Sequence, residues 1–355
     1  MSDMSSIPSG PVVPGSTFRP TPPRGPAPAP AQAPRRRIGI LSILIFILLL
    51  CSIGANVVLL IMLALVASGD EGSVAHVQAE VLVKGSHDKV AILPIEGVID
   101  GGQAERVYNF CEYIKNDSSI KAVVIAVDSP GGGVTSSDEI HHMLTQLRGT
   151  GRKMVVSMGG LAASGGYYVS MPAEKIYAQP TTITGSIGVI MSSFEVTDLM
   201  TKIGVKPETV KSDAAEEFKD AGSPFKKWTA EDRDYFKGLI NNAHLKFSAI
   251  VDEGRKGKLT QPIAKIAIGK VWTVEKAKDL GLIDEIAYLD EVCTKTAHDA
   301  GIPDATVVRL RPKSTFLELF GASARGAGKV ELKVNAEDFR KLTGGVMEYR
   351  YDGIY

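Results

Sequence analysis

One hydroxyl group stands out in the run Met158–Tyr168, which reads Met-Gly-Gly-Leu-Ala-Ala-Ser-Gly-Gly-Tyr-Tyr. Ser164 lies between small residues, so a peptide backbone can approach its side chain closely. The run follows a short apolar segment, Met154–Ser157, and precedes residues that suit the start of a helix. Backbone N–H groups at such a strand-to-helix turn are unpaired and available to a developing oxyanion. The pattern predicts a nucleophile, although the same small residues are also typical of a helix packed tightly on a sheet.

Three consecutive glycines, Gly131 to Gly133, follow an apolar segment that ends at Val127. Glycine adopts positive φ at little cost, so this turn can direct backbone N–H groups outward, as an oxyanion hole requires. A tight turn without a function is the alternative, because Pro-Gly commonly marks turns. The spacing does not fit the dinucleotide-binding pattern, which would need glycine where Ser136 stands.

A nucleophilic serine also needs a base. His244 and His298 are the histidines downstream of Ser164, and neither lies in a recognisable signature, so a Ser-His-Asp triad is poorly supported. The nucleophile-elbow pattern G-x-S-x-G is not met either, because Ala162 replaces its first glycine. A lysine from the polar segment 211–224 remains as a candidate base, although most lysines are solvated surface charges.

The composition disfavours several classes of function. The 355 residues include 40 basic and 40 acidic side chains, so no net field attracts nucleic acid, and no phosphate-binding Walker sequence is present. The three cysteines form no CxxC pair, which disfavours structural zinc and a disulfide framework. Cys111 and Cys293 are expected to be buried thiols, with a single bridge between them as the alternative. We expect no cofactor, no metal ion and no nucleic-acid partner.

The chain begins with a tail and an apolar segment. Residues 1–37 hold ten of the 19 prolines and end in Arg35-Arg36-Arg37, a composition that predicts a disordered tail. Residues 38–67 carry no charge and exceed the ~20 residues that a transmembrane helix needs. The arginines before this segment predict a single-pass membrane protein with a cytoplasmic N-terminus and a C-terminal domain outside the cytoplasm.

The remainder alternates β-rich and helical segments, which predicts an α/β fold of parallel sheets with crossover helices. It begins after a polar connector at residues 68–88. The predicted strands are Val90–Pro94, Ala122–Val127, Met154–Ser157 and Lys175–Ala178, and the predicted helices are Asp138–Arg148 and a stretch from the N-cap Thr229 to about Glu253.

Five motifs together resemble the signal peptide peptidase A family, membrane-anchored serine proteases with a Clp protease/crotonase-like fold. They are the turn at 128–133, the serine run at 163–168, Thr-Gly-Ser-Ile-Gly-Val at 184–189, Phe-Lys-Asp-Ala-Gly-Ser-Pro at 218–224, and the segment 271–284. The resemblance covers roughly residues 90–291. It implies a Ser-Lys protease domain at 89–300, followed by a C-terminal extension at 301–355 whose role the motifs do not define.

The resemblance also implies a role for each matched residue. Ser164 would be the nucleophile, Lys219 the general base, and Ser186 the residue that hydrogen-bonds and orients the lysine amine. The backbone N–H groups of Gly132 and Gly165 would form the oxyanion hole.

The base has an alternative, Lys211, but the motif around Lys219 matches the family better. A lysine acts as a base only when it is neutral. Burial must therefore lower the pKa of this lysine from the ordinary ~10.4 towards the working pH.

Family members with two tandem modules take the lysine and the serine from different modules, whereas this chain has one module. The resemblance therefore implies a ring-like homo-oligomer, anchored by residues 38–67, whose active sites are completed between protomers. The implied function is cleavage of residual signal peptides or other hydrophobic peptides at the membrane surface. Two alternatives remain: a crotonase-like acyl-CoA enzyme, which needs no Ser-Lys dyad, and an inactive membrane scaffold that binds peptides or regulates another protease.

Overall fold

The computed structural model describes residues 39–67, 77–215, 217–313 and 347–350, so the predicted tail at 1–37 lies outside the described residues. The described residues fall into two units, one within Met1–Gly69 and the other within Asp70–Tyr355. In the first unit, helix α1 spans Ile40–Ala67. Its segment Ile43–Ile61 has a mean hydropathy of 2.9, and none of its residues is buried. A helix of 28 residues is ~42 Å long. It is thus long and apolar enough to cross a hydrocarbon core of ~30 Å.

The second unit is a mixed α/β domain. Its strands are β1 (Val77–Val83), β2 (Lys89–Glu96), β3 (Ile120–Ser129), β4 (Gly131–Gly133), β5 (Lys153–Ala163), β6 (Lys175–Ala178), β7 (Ile183–Gly185), β8 (Ile190–Met191), β9 (Val271–Thr273), β10 (Glu285–Ile286), β11 (Thr306–Pro312) and β12 (Met347–Arg350). Its helices are α2 (Gly101–Asn116), α3 (Val134–Arg148), α4 (Gly165–Tyr168), α5 (Thr197–Lys202), α6 (Ala230–Gly254), α7 (Ile263–Ile266), α8 (Val274–Asp279) and α9 (Leu289–Asp299), with a 3-10 turn at Asp213–Ala215.

In the described residues, nine strands form the main sheet. Seven lie in the order β1-β11-β2-β3-β5-β6-β10, and β7 and β9 are added beside the end of β5. The pairs from β11 to β10 and the pair β5–β7 are parallel, whereas β1 and β9 join antiparallel. This confirms the predicted α/β class with a mostly parallel sheet. Each predicted strand and helix is present, and β5 continues beyond the predicted end at Ser157 to Ala163.

The main sheet reaches beyond the predicted domain at 89–300. β1 lies within the predicted connector at 68–88, and β11 lies within the predicted extension at 301–355. The two strands pair with each other, and β11 also pairs with β2. Neither strand carries a motif, and the place of each in the sheet depends on pairing between distant parts of the chain.

The parallel strands are buried on both faces, as expected when helices cover both sides of a sheet. Val123 of β3 belongs to the apolar cluster that contains Phe110 of α2, whereas Val124 belongs to the cluster that contains Val292 of α9. This burial fixes the positions of the strands, and the candidate site residues lie directly after the ends of these strands.

Cys111 and Cys293 lie in the two different clusters as buried free thiols. Burial raises the pKa of each thiol to about 12. Both side chains therefore remain protonated and serve as small apolar core residues.

A buried ion pair ties the end of α6 to the segment before β10. Arg255, which is 1% exposed, donates to the Asp284 carboxylate at 2.8 and 3.1 Å and to the Gly281 carbonyl at 2.8 Å. Burial alone would raise the pKa of Asp284. Hydrogen bonds from Arg255, Lys258 and the Ile176 N–H outweigh burial and lower this pKa from 3.8 to about 2.

We expect Asp284 to stabilise the fold at neutral pH and to lose this contribution in acid. Because its folded pKa lies below its unfolded value, the contribution is complete well above about pH 4 and is lost as the pH falls towards about 2. The loss amounts to roughly 2 kcal/mol in the free energy of unfolding. Urea unfolding of the detergent-solubilised chain across this pH range should show an acid-dependent loss that is smaller in Asp284→Asn than in wild type by about 2 kcal/mol.

The matched control is Asp299→Asn, which removes a more exposed carboxylate paired with Lys175. The pKa of Asp299 is lowered mainly by its hydrogen bond with Lys175, and because this pair is more exposed, the variant should keep most of the acid-dependent loss of the wild type. Identical pH dependence of wild type and Asp284→Asn would contradict the role of Asp284.

Candidate active site

Ser164 lies at the turn between β5 and α4, the strand-to-helix turn predicted from the sequence. Its backbone has φ 54° and ψ −117°, a conformation that costs a non-glycine residue ~1–3 kcal/mol. The Ser164 N–H donates to the Gly185 carbonyl at 2.8 Å, and the Ser164 carbonyl accepts from the Tyr168 N–H at 2.9 Å. These bonds hold the turn in its strained conformation.

The Ser164 side chain is buried, with the residue only 1% exposed. Its Oγ has no hydrogen-bond partner among the described residues. Buried polar groups in native structures nearly always have a partner, so an exception requires an explanation. A nucleophile that meets its base and substrate only in a larger complex is such an explanation.

The small residues around Ser164 also allow α4 to pack closely. A Cβ on Gly166 would lie 2.7 Å from the Ser129 carbonyl oxygen, so the helix could not approach β3 with a larger residue there. Tyr167 anchors the helix by donating from its hydroxyl to the Leu282 carbonyl at 2.7 Å. The packing interpretation of this run and the nucleophile interpretation are therefore compatible.

Ser186 lies at the same edge of the sheet as Ser164. Ala163 at the end of β5 pairs with Gly185 at the end of β7. The residues that follow them, Ser164 and Ser186, therefore lie at the same edge. Ser186 has φ 50°, and within the described ranges these two serines are the only non-glycine residues with positive φ. The Ser186 N–H donates to the Lys270 carbonyl at 2.8 Å. Backbone strain of this kind clusters at functional sites, which favours a functional site at this edge of the sheet.

The predicted glycine turn forms β4 beside Ile99. The Ile99 N–H donates to the Gly131 carbonyl at 2.9 Å, and the Gly133 N–H donates to the Ile99 carbonyl at 2.8 Å. A Cβ on Gly132 would lie 2.1 Å from the Ile99 carbonyl oxygen, so the approach requires glycine. Since successive residues of a strand direct their backbone groups to opposite sides, the Gly132 N–H points away from Ile99.

The two predicted oxyanion donors leave the sheet at the same edge. Ser129 at the end of β3 pairs with Ala162 near the end of β5. Gly132 follows the first of these strands, and Gly165 follows the second as the first residue of α4. N–H groups in the first turn of a helix have no partner within the helix.

Two polar side chains of the glycine motif support the turn, a role that sequence reasoning missed. The Asp128 carboxylate accepts from the Leu161 N–H at 3.0 Å. The Ser129 hydroxyl donates to the Gly97 carbonyl at 2.6 Å and accepts from the Gly131 N–H at 3.0 Å. The Asp-Ser-Pro-Gly motif was the available signal, but the partners of its side chains depend on how β2, β3 and β5 are arranged.

The surroundings of the two candidate lysines differ. Lys211 Nζ lies 3.3 Å from the Asp220 carboxylate, which also binds Lys226 Nζ at 2.9 Å. Lys211 therefore lies in an ion pair with a carboxylate that two lysines share. Lys219 is exposed, and it forms no hydrogen bond or ion pair with the part of the chain that the structure describes. Neither lysine is hydrogen-bonded to Ser164 Oγ in that part of the chain.

A buried serine at a strained strand-to-helix turn, with glycine N–H groups at the same edge of a parallel sheet, is typical of a hydrolase that forms an acyl-enzyme. The model of Peptidase family S49 matches residues 146–303, and the Clp protease model matches residues 81–184. A putative protease of Methanocaldococcus jannaschii is 31% identical over 284 residues, which cover 77% of this chain and 86% of that protein. A putative signal peptide peptidase SppA of Enterococcus faecium is 32% identical over 241 residues, which cover 65% of this chain and 69% of that protein.

The chain therefore belongs to peptidase family S49 and is a serine protease. This confirms the resemblance to the signal peptide peptidase A family. Among solved structures, a mutant of ClpP1 from Listeria monocytogenes gives a TM-score of 0.38 at 19% identity and covers 56% of this chain and 92% of that chain.

Proposed function

We propose that this protein is a membrane-anchored serine endopeptidase that uses a Ser-Lys dyad. Ser164 is the nucleophile, Lys219 is the general base, and Ser186 orients the lysine amine. The N–H groups of Gly132 and Gly165 form the oxyanion hole. The observation that carries the proposal is the Ser164 hydroxyl, which is buried without a hydrogen-bond partner among the described residues and lies at a strained turn.

The reaction proceeds through an acyl-enzyme. Lys219 takes the proton of Ser164 as Oγ attacks the carbonyl carbon of the peptide, and the developing oxyanion accepts hydrogen bonds from the two glycine N–H groups. The lysine then gives its proton to the leaving amine as the C–N bond breaks. A water molecule, deprotonated by the same lysine, hydrolyses the ester and restores the serine.

Lys219 suits the role of base better than Lys211. Lys211 forms an ion pair with Asp220, so its amine would have to leave this carboxylate to reach Ser164. Lys219 is exposed in a single chain, so a neighbouring copy can cover it. Burial between two protein surfaces favours the neutral form of a lysine, as this chemistry requires.

The base comes from a neighbouring protomer in a ring-like homo-oligomer. The segment 192–225, which carries Lys219, exposes large apolar side chains: Phe194, Leu199, Ile203, Val205, Val210, Phe218 and Phe225. Exposed apolar patches mark interaction surfaces. When this segment packs beside the site of the next protomer, it covers the apolar side chains and brings the lysine to Ser164. A contact of this head-to-tail kind gives a ring when the rotation between neighbouring protomers closes.

The substrates are residual signal peptides or other hydrophobic peptides at the membrane surface. The Enterococcus faecium relative bears the name signal peptide peptidase, and α1 has the length and composition of a membrane anchor. Arg35–Arg37 precede this helix. Positive residues beside a membrane span favour the cytoplasmic side, so the protease domain lies outside the cytoplasm.

Mixing two inactive variants tests this proposal. Ser164→Ala chains and Lys219→Ala chains, combined in equal amounts, should recover about one quarter of wild-type activity, because random assembly pairs an intact serine with an intact lysine at about that fraction of interfaces. Two affinity tags isolate the mixed assemblies, and a fluorogenic hydrophobic peptide reports cleavage.

The control mixture combines Ser164→Ala chains with chains that carry both substitutions, and it should stay inactive. Inactivity of the verified Ser164→Ala and Lys219→Ala mixture would exclude a dyad shared between protomers.

A further inference from the structure

Tyr168, the last residue of α4, links the turn that carries Ser164 to helix α3. Tyr168 is 1% exposed, and its hydroxyl donates to the Asp138 carboxylate at 2.6 Å. A hydroxyl that donates to a carboxylate at this distance forms one of the stronger kinds of hydrogen bond in proteins. Asp138 lies about one turn into α3, which begins at Val134. The bond therefore ties the single turn of α4 to the first turns of α3.

Two aromatic rings hold the Tyr168 side chain in this direction. The ring of His141, which also lies on α3, meets the Tyr168 ring edge-on, with 5.3 Å between the ring centroids. The centroid of the Phe247 ring, on α6, lies 5.1 Å from that of Tyr168. Aromatic pairs at such distances stabilise each other. The hydroxyl is thus kept towards α3, where Asp138 accepts its hydrogen bond.

The two linked helices lie next to the two donors proposed for the oxyanion hole. Gly132 lies two residues before α3 begins, and Gly165 is the first residue of α4. An oxyanion hole requires both N–H groups within about 2.7–3.1 Å of the oxyanion, so the distance between the two groups must be fixed. A misplacement of ~1 Å can cost about 100-fold in rate. A bond between α3 and α4 therefore affects catalysis although it contacts neither donor.

We propose that Asp138 is a positioning residue, which acts through Tyr168 to set the distance between the N–H groups of Gly132 and Gly165. The inference rests on the proposed peptidase site, because both glycines belong to that site. When the bond is lost, α4 can move relative to α3, and the oxyanion loses stabilisation while the bound peptide keeps its other contacts. An interaction that acts only in the transition state changes kcat and leaves KM unchanged.

A double-mutant cycle tests the inference in the assembled full-length protein. Asp138→Ala, Tyr168→Phe and the double variant should each lower kcat for a fluorogenic hydrophobic peptide about 10- to 100-fold with KM unchanged, because all three lack the same bond. Asp138→Asn keeps an acceptor oxygen and should retain most of the wild-type kcat. The matched control is Glu139→Ala, which removes the neighbouring exposed carboxylate of α3 and should leave kcat unchanged.

A peptide boronate reports on the oxyanion hole itself, because its adduct with Ser164 carries an oxygen where the oxyanion develops. The inhibition constant of the boronate should rise in Asp138→Ala and Tyr168→Phe by the same factor as kcat falls. A purely structural role of the bond would lower the free energy of unfolding without this parallel. Losses of kcat that multiply in the double variant, or a wild-type kcat in either single variant, would overturn the inference.

Hydrogen exchange separates this inference from the peptidase proposal. The amides of residues 168–170 donate to carbonyls of residues 164–167. They should exchange faster in Asp138→Ala and Tyr168→Phe than in wild type, Asp138→Asn and Glu139→Ala, while unchanged exchange in β3 shows that each variant folds. If this pattern appears and wild type neither cleaves peptides nor binds the boronate, the peptidase proposal fails and the link between the helices is supported. Equal exchange in all five proteins would overturn the inference.

Discussion

Lys219→Ala should lower kcat/KM by about 10²- to 10⁴-fold, the range for losing a general acid–base group. The lysine transfers a proton in both acylation and deacylation, so its removal should slow both steps. Because Lys219 is exposed and unpaired among the described residues, its truncation should leave the free energy of unfolding within about 0.5 kcal/mol of wild type. Cleavage of a fluorogenic hydrophobic peptide by the assembled protein measures the effect.

Lys211→Ala is the matched variant on the same segment. It breaks an ion pair with Asp220, which keeps Lys226 as a second partner. We expect most of the peptidase activity to remain. If Lys211→Ala abolished cleavage and Lys219→Ala did not, the base would be Lys211.

Gly132→Ala should lower kcat by about 10²- to 10³-fold, the cost of losing one oxyanion donor. The added methyl group would meet the Ile99 carbonyl oxygen at 2.1 Å, so β4 must shift and carry the N–H out of position. The free energy of unfolding should fall as well, because the contact with Ile99 loosens. Single-turnover cleavage, together with urea unfolding, separates the catalytic effect from the structural one.

Gly133→Ala serves as the control for this prediction. A Cβ on Gly133 would meet its nearest atom, Ser136 Oγ, at 3.7 Å, which is an ordinary contact. The Gly133 N–H donates to the Ile99 carbonyl and does not face the proposed oxyanion. Equal kcat for the two alanine variants would remove Gly132 from the oxyanion hole.

The turn at Ser164 could be predicted from the sequence because its causes are local. Small residues, two glycines and an apolar segment lie within one short run, and they dictate a sharp turn between a strand and a tightly packed helix. The parallel sheet could be predicted for a similar reason, since each strand carries its own apolar signal. The strained φ of Ser186 could not be predicted, because it depends on the bonds of β7 with β5 and β9.

Features that depend on distant parts of the chain were missed. β1 and β11 are separated by more than two hundred residues, and only their pairing makes them part of the domain. β12 lies in the segment 301–355, for which no motif suggested a role, although it pairs with the glycine turn. The ion pair between Lys211 and Asp220 likewise depends on how the segment folds back on itself.

Covalent labelling with a serine-reactive phosphonate, followed by mass spectrometry of the labelled peptide, tests the Ser-Lys dyad most directly. We expect the label on Ser164 in wild type and in Lys211→Ala, no label in Ser164→Ala, and strongly slowed labelling in the assembled Lys219→Ala protein. A label on another serine, or equal labelling rates in wild type and Lys219→Ala, would contradict the dyad.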